Sequence, residues 1–482
     1  MGKWIRHIIF ILLVLALCLP VIQQNTDFVR IRPLKGAGNP PAYPAFSLKS
    51  WSDGTFQEGT DMAIEQRIGF RPFLIRLKNQ LEYSLFRKAN ARGVVVGKKR
   101  YLYEEDYLRA HRGGDYPGDW FWKEKFRRVA LVRDTLSSLG VNIAVVIEPS
   151  KATYYEEYIP ESMRALKSDR PTNYGSIING CRNEQVPLLD LNEYFLKMKE
   201  EVPFPLFPKG GIHWSYYGML TAMDTLLPLV EQWSAKKVPE LIIGSPEPAK
   251  QLRGTDGDLA ELMNLFIKPG HPPMAYPEVD YKQVEDSLKP RVLGISDSFY
   301  FNIINAGIPD NTFANTAFWY YNVEIYPETW TARKDTSMIN FTGEVESMDL
   351  VLVMITERFF YKFAWSFFDR LFDSYFPDAP VDYRYRYTSR IISHYKWFDE
   401  VVAESANKGI SVEQGLEDHS GYQFWQDEQK GLLTKNQSYY EMKIRHNADW
   451  MKQIREKADK AGISVDRQIQ LDAAWTLSNS RK

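Results

Sequence analysis

Apolar positions fall along this chain in distinct regimes. Ile8–Leu19 is continuously apolar, with Lys3 and Arg6 before it and Pro20 ending it. That pattern predicts a signal peptide or signal anchor over residues 1–22. No clear small-residue cleavage site follows Val21, which favours the anchor, although a full span takes about 20 residues. With the basic flank kept in the cytoplasm, the body lies outside. Residues 23–59, rich in Pro, Gly and Asn, read as an extended linker. From Asp61 to Phe86 the pattern turns helical. Phe73, Leu74, Leu77, Leu81 and Leu85 make one face, and Pro72 fits the first turn.

Val94–Val96 and the stretch to Tyr103 read as two short strands about a turn. An alternation then begins. Helices are predicted at Trp120–Leu139, Ser176–Gln185 and Tyr217–Trp233, and Pro228 kinks the last. Strands are predicted at Val141–Ile147, Val186–Leu191, Val292–Ile295, Phe313–Tyr321 and Leu350–Ile355, and Val238–Lys289 reads mostly as loop. This rhythm implies an α/β fold, a mainly parallel sheet covered by helices over residues 60–376. Functional groups in such a sheet collect at the carboxyl ends of the strands. Aromatic Phe359–Phe376 reads as a helix. Residues 377–482 are charged, helical and without strands. Trp397 followed by Lys408–Glu413 and Trp450 followed by Ala461–Asp466 form a weak two-copy repeat. Each copy reads as a helix, a Gly stop, and Ser411 or Ser464 capping a second helix.

Charge narrows the partners. Lys and Arg total 60 against 61 Asp and Glu, and no basic run stands out in the folded part, which argues against nucleic acid. The two cysteines do not suggest a disulfide, because Cys18 lies in the apolar segment and leaves Cys181 alone in the body. Histidines lack the paired spacing of metal ligands, so no metal or cofactor is expected.

The candidate chemistry centres on Arg291–Tyr300, RVLGISDSFY. A buried strand ends in Ser296–Asp297–Ser298 and a helix follows. At such a turn Ser298 is either a nucleophile or a helix N-cap, and nearby N–H groups can hold an oxyanion. A hydroxyl nucleophile needs a base, and His213, in the glycine-flanked loop Lys209–Ser215, is the candidate. Alone it reads equally as a helix-start histidine packed beside Trp214.

At this pair the chain resembles a family. Ser296–Phe299 is similar to the nucleophile block of SGNH-hydrolase-like enzymes. A His-Trp dipeptide ahead of the serine resembles the alginate O-acetyltransferase group, the AlgJ and AlgX proteins. Val96–Lys98 with Tyr101–Tyr103, Glu148–Lys151 with Glu157–Pro160, and Glu357–Arg358 add to the ordered set. The resemblance runs from about Gly59 to Arg358. It implies an SGNH-hydrolase-like, periplasmic enzyme, held at the bacterial inner membrane, that moves acetyl groups onto an exported polysaccharide. A multi-pass membrane O-acyltransferase would supply the acetyl group. Ser298 would match the nucleophile and His213 the base. The family's Asp lies two residues before the His, where this chain has Gly211. Another carboxylate replaces it (Asp190, Asp224 or Glu357), or a main-chain carbonyl holds the imidazole in a Ser–His dyad, or catalysis is lost. The last option makes the chain a polysaccharide-binding or scaffold subunit, and an acetylesterase is the same chemistry with water as acceptor.

Other residues carry paired readings. Ser296 stands where the family often has Gly and bears on the oxyanion pocket. Asp297 stabilises the turn or takes part in chemistry. Lys151 meets an anionic sugar or is solvated. Arg358 binds a carboxylate or pairs with Glu357 or Asp297. Trp214, beside the base, is a further substrate-contact candidate. The aromatics of Phe318–Tyr321 read as core or as a sugar platform.

Overall fold

The apolar strands assemble into one sheet. In the computed structural model, which describes residues 2–36, 38–164 and 170–480, six strands lie side by side. Met1, the side chain of Lys3 and the last two residues of the tail lie outside the described residues. The strand order is Glu324–Tyr326, Ala317–Tyr320, Val292–Ser296, Leu350–Ile355, Asn142–Ile147, Leu188–Asp190. Every neighbouring pair is parallel except the first, which is antiparallel. Parallel strands are covered on both faces, so they read as unbroken apolar runs. Val292–Ser296 and Leu350–Ile355 are buried throughout. Helices Asp119–Ser138 and Tyr216–Ser234 pack on the sheet, and Pro228 lies inside the second. The mainly parallel, helix-covered sheet expected from the alternation is present.

The chain divides into two compact units. The first comprises Met1–Glu105, Phe207–His213 and Lys250–Pro273, and the second Asp106–Leu206, Trp214–Ala249 and Met274–Lys482.

In the first unit the N-terminal helix runs from Lys3 to Thr26, past the expected stop at Pro20. Its last turn is held by Gln23. Its amide donates to Val29 O at 2.7 Å and accepts from Val29 N–H at 3.1 Å. Trp4–Thr26 is, among the described residues, the one helix long and apolar enough to cross a membrane. The linker is also less extended than expected. Ser47 caps a short helix, Leu48–Ser52, and another helix spans Thr55–Arg67. Phe70, in left-handed conformation, separates that helix from Arg71–Phe86, and Pro72 sits in the first turn of the latter. The apolar face of Arg71–Phe86 points outward. Its buried residues are Arg76, Asn79 and Tyr83. The hairpin Val94–Val96 with Leu102–Glu104 closes this part of the unit.

The second unit holds the sheet and the helical tail. Phe359–Phe376 is not a single helix. A 3₁₀ stretch, Glu357–Ser366, contains Ala364, Trp365 and Ser366 with positive φ, and Phe367–Tyr375 follows as an α-helix. In the tail, Gly409 and Gly462 are both left-handed and close the helices Tyr395–Lys408 and Ala448–Ala461. Ser411 and Ser464 accept from the N–H groups of Gln414 and Arg467, capping the next helices.

Candidate active site

Strand Val292–Ser296 delivers Ser298 to the carboxyl edge of the sheet. Every residue from Val292 to Tyr300 is buried except Ser298, which is partly exposed. Ser298 occupies the N-cap position of helix Phe299–Asn305, yet its side chain makes no capping bond. Asp297 does that instead, and its Oδ1 accepts from Phe299 N–H at 2.9 Å. The other Asp297 oxygen accepts from the Thr356 hydroxyl. The turn is therefore stabilised by Asp297, as one of its two readings had it. The Phe299 N–H is taken by this bond, so it is not an open oxyanion donor.

Ser296 is fully buried, with its hydroxyl turned to Glu148 at 3.3 Å. Glu148 is itself fully buried, and burial, reinforced by the Asp297 charge, pushes its carboxyl well above the usual range. The Ser296 side chain thus faces a buried acid rather than the open edge.

His213 lies in the first unit, in a segment fastened by main-chain bonds. Leu102 N–H donates to Lys209 O at 3.0 Å and Ala260 N–H to Gly210 O at 2.9 Å. His213 is partly exposed between buried neighbours. Its Nδ1 lies 2.7 Å from Asp258 Oδ2, and Asp258 Oδ1 accepts from Ile212 N–H at 3.0 Å. A carboxylate only accepts, so Nδ1 carries a proton, and in the neutral ring that tautomer leaves the lone pair on Nε2. Asp258 opens the short helix Asp258–Leu262.

Gly211 explains why the acid stands there. A Cβ on Gly211 would meet Thr255 O at 2.7 Å, Pro208 Cγ at 2.9 Å and the Asp256 carbonyl carbon at 3.0 Å. The loop that brings Asp258 to the imidazole fills the space a side chain at 211 would need. The acid on His213 is thus none of the three expected candidates. Asp190 caps helix Leu191–Met198 and accepts from Tyr174. Glu357 accepts from Ser150 and Thr153 and faces His111 Nδ1 at 3.4 Å. Asp224 is exposed on helix Tyr216–Ser234. Asp258 was legible only as the end of Gly254–Thr255–Asp256–Gly257–Asp258, a turn-rich run before a short helix, inside a stretch read as loop.

Two further expectations are corrected, and a third gains a partner. Trp214 is fully buried and packs on Phe299, ring centroids 5.4 Å apart, so its ring meets no sugar. Lys151 is fully buried in the short helix Lys151–Tyr154, neither solvated nor open to a polymer. Arg358 pairs with Asp106 at 3.4 Å and lies over the Phe359 ring.

Phe318 and Trp319 are core, but the strand ends are not. Tyr320 and Tyr321 stack with centroids 3.9 Å apart, and the Tyr321 ring lies 5.1 Å from Phe359 and 5.4 Å from Trp365. Tyr321, Phe359, Lys362 and Trp365 line a cavity of about 290 Å³. Burial depresses the Lys362 ammonium. Among the described residues no group of three or more His, Cys, Asp or Glu could hold a metal ion.

Residues 94–293 match the family model described as SGNH hydrolase-like domain, acetyltransferase AlgX. The resemblance read from the residues is borne out, and the fold is SGNH-like. The matched span contains His213 and Asp258 and stops short of Ser298. No curated protein matches the chain. Among solved structures, the O-acetyltransferase domain of Pseudomonas putida AlgJ is 18% identical, with 58% of this chain and 99% of that one covered and a TM-score of 0.37. Pseudomonas aeruginosa AlgX is 14% identical (57% and 67% covered, TM-score 0.38), and Bacillus cereus PatB1 is 12% identical (55% and 96% covered, TM-score 0.33). At these values the three stand beside the family match without adding weight to it.

Proposed function

We propose that this protein is an O-acetyltransferase that acetylates an exported polysaccharide through an acetyl-serine intermediate. The observation that carries the reading is the isolated exposure of Ser298 at its strand–helix turn, with capping left to Asp297. His213 Nε2 takes the Ser298 proton as Oγ attacks the acetyl carbonyl, and the donor departs with that proton. A sugar hydroxyl then attacks the ester carbonyl, its proton passes to His213, and His213 returns a proton to Ser298 Oγ as the bond between Oγ and the acetyl carbon breaks. Asp258 holds the imidazole in the required tautomer and offsets the charge it gains. The aromatic cavity beside Tyr321 receives the acceptor sugar, since aromatic faces suit pyranose rings and Lys362 adds a donor.

The same reading puts the protein in the periplasm, tethered by the N-terminal helix. A multi-pass O-acyltransferase in that membrane supplies the acetyl group. The family match and the apolar helix support this arrangement. The scaffold alternative rested on Gly211, and Asp258 on the imidazole removes its main argument.

The test is acetyl transfer from an activated aryl acetate to a panel of oligosaccharides by the full chain in detergent. Ser298→Ala and His213→Ala should each abolish transfer in folded protein. Transfer that persists in folded Ser298→Ala protein would sink the proposal.

A further inference from the structure

The helix Arg71–Phe86 is fastened to its unit by its polar side. Arg76 donates to Arg32 O and Pro33 O, both at 2.7 Å, and Asn79 donates to Met263 O at 2.9 Å. Tyr83 is buried under the Arg100 guanidinium. The opposite side carries Phe73, Leu74, Leu77, Leu81 and Leu85, which are 41–69% exposed. Single exposed apolar residues are ordinary, but a four-turn stripe is not. Phe266, packed on Phe73 at 5.2 Å, and exposed Ile267 widen it. Leaving such a stripe in water forgoes about 25 cal/mol for each Å² of apolar surface.

The same unit says what covers it. Gly69, just before this helix, packs on the N-terminal helix so closely that a Cβ there would lie 2.1 Å from Pro20 O and 2.8 Å from Gln24 N. Phe70 meets Phe28 edge-on at 5.9 Å. The start of Arg71–Phe86 is thus tied to the C-terminal end of the apolar helix. From Trp4 to Gln24 that helix rises about 30 Å, the thickness of a bilayer's hydrocarbon core. A helix that begins there begins at the outer membrane–water boundary. Lys78 borders the stripe and Arg87 follows the helix, both exposed, where they can meet lipid phosphates.

We propose that Arg71–Phe86 lies in the outer headgroup region of the membrane, its Phe73–Leu85 stripe sunk into lipid. The proposal rests on the reading that Trp4–Thr26 spans the bilayer. The helix then works as a second, interfacial anchor, parallel to the surface, that fixes its unit at the membrane.

The experiment uses the full chain carrying Cys18→Ser, reconstituted alone into phosphatidylcholine–phosphatidylglycerol vesicles. Cys181 is buried and stays unlabelled. A fluorophore is attached in turn at Leu81→Cys, Leu12→Cys and exposed Lys430→Cys, and quenching by aqueous iodide is compared with quenching by lipid-borne nitroxides. The proposal predicts that the Leu81 label is shielded from iodide several-fold relative to the Lys430 label and is quenched best by a shallow nitroxide. A Leu12 label in lipid with a Leu81 label as open to iodide as Lys430 would overturn it while leaving the anchor intact. Both labels open to iodide would overturn both. A Leu81 label shielded only after a membrane protein partner is added would replace lipid with that partner.

Discussion

Ser298 and Asp297 divide two tasks that either residue type can perform, since serine and aspartate both cap helices. The sequence left Ser298 suspended between cap and nucleophile, and the 2.9 Å bond from Phe299 N–H to Asp297 decides the capping role. Asp297→Ala should therefore lower the denaturation midpoint, with a loss of about 1 kcal/mol. The acid on the base was illegible for a different reason. Asp258 and His213 are 45 positions apart, and no local pattern pairs them. Asp258→Asn should cut turnover by up to about 10⁴ with little change in acceptor KM, because an amide permits the wrong tautomer. Gly211→Asp would restore the family's residue and yet should lower both stability and turnover, since its Cβ falls 2.7 Å from Thr255 O. Circular dichroism melts with steady-state rates check both. Recovery of full activity by Gly211→Asp in the Asp258→Asn background would show that the two sites are interchangeable.

Two buried acids add a pH dependence. Burial, opposed by Arg109, pushes Asp115 up to about 7, and burial pushes Glu148 well above its usual value. The folded chain holds protons on both that an unfolded chain has released above about pH 4. The stability they contribute is full below that pH and is lost as pH rises, through about 7 for Asp115 and through the raised range of the Glu148 carboxyl. Glu148→Gln should flatten this decline in urea midpoints measured between about pH 5 and pH 8. An unchanged slope would mean Glu148 is ionised in the folded protein.

At the scale of elements, the buried strands were the most legible. Leu350–Ile355 falls where its apolar run predicted, because a strand covered on both faces leaves no polar position to blur its ends. The tail helices were marked by Gly409, Gly462 and their serine caps. Legibility failed where periodicity was right and the partner was not the core. The Arg71–Phe86 helix has the expected face, turned outward. The break within Glu357–Tyr375 was hidden because Ala364, Trp365 and Ser366 carry side chains that ordinarily avoid positive φ, so nothing in their composition announced it. Strain of that kind often accompanies ligand contact, and Trp365 lines the aromatic cavity. Trp365→Ala and Lys362→Ala should raise the acceptor KM several-fold and leave the rate of Ser298 acetylation unchanged. A fall in acetylation rate with no change in KM would remove the cavity from acceptor binding.

For the whole molecule, the alternation of strands and helices specified an α/β sheet, but not the division into two compact units. The first unit gathers three separate stretches, one ending in His213 and another including Asp258, while Ser298 belongs to the second. Linear composition cannot reveal such interleaving. The apolar N-terminal helix and the outward stripe both belong to the first unit, so the membrane-facing features and the base with its acid share one body. Deleting the helical tail should affect stability more than chemistry, because part of it is bound into the main core. Tyr385, Ile391, Phe398 and Val401 are members of the apolar cluster that surrounds the sheet.

The central claim is a covalent acetyl group on Ser298. The most direct measurement is peptide mapping by mass spectrometry after brief exposure of the full chain to an activated aryl acetate without acceptor. One acetyl group is expected on the peptide containing Ser298, lost when an acceptor oligosaccharide is added, absent in Ser298→Ala and slow to form in Asp258→Asn. Acetyl found on another residue, or donor consumed with Ser298 unmodified at every time point, would contradict it.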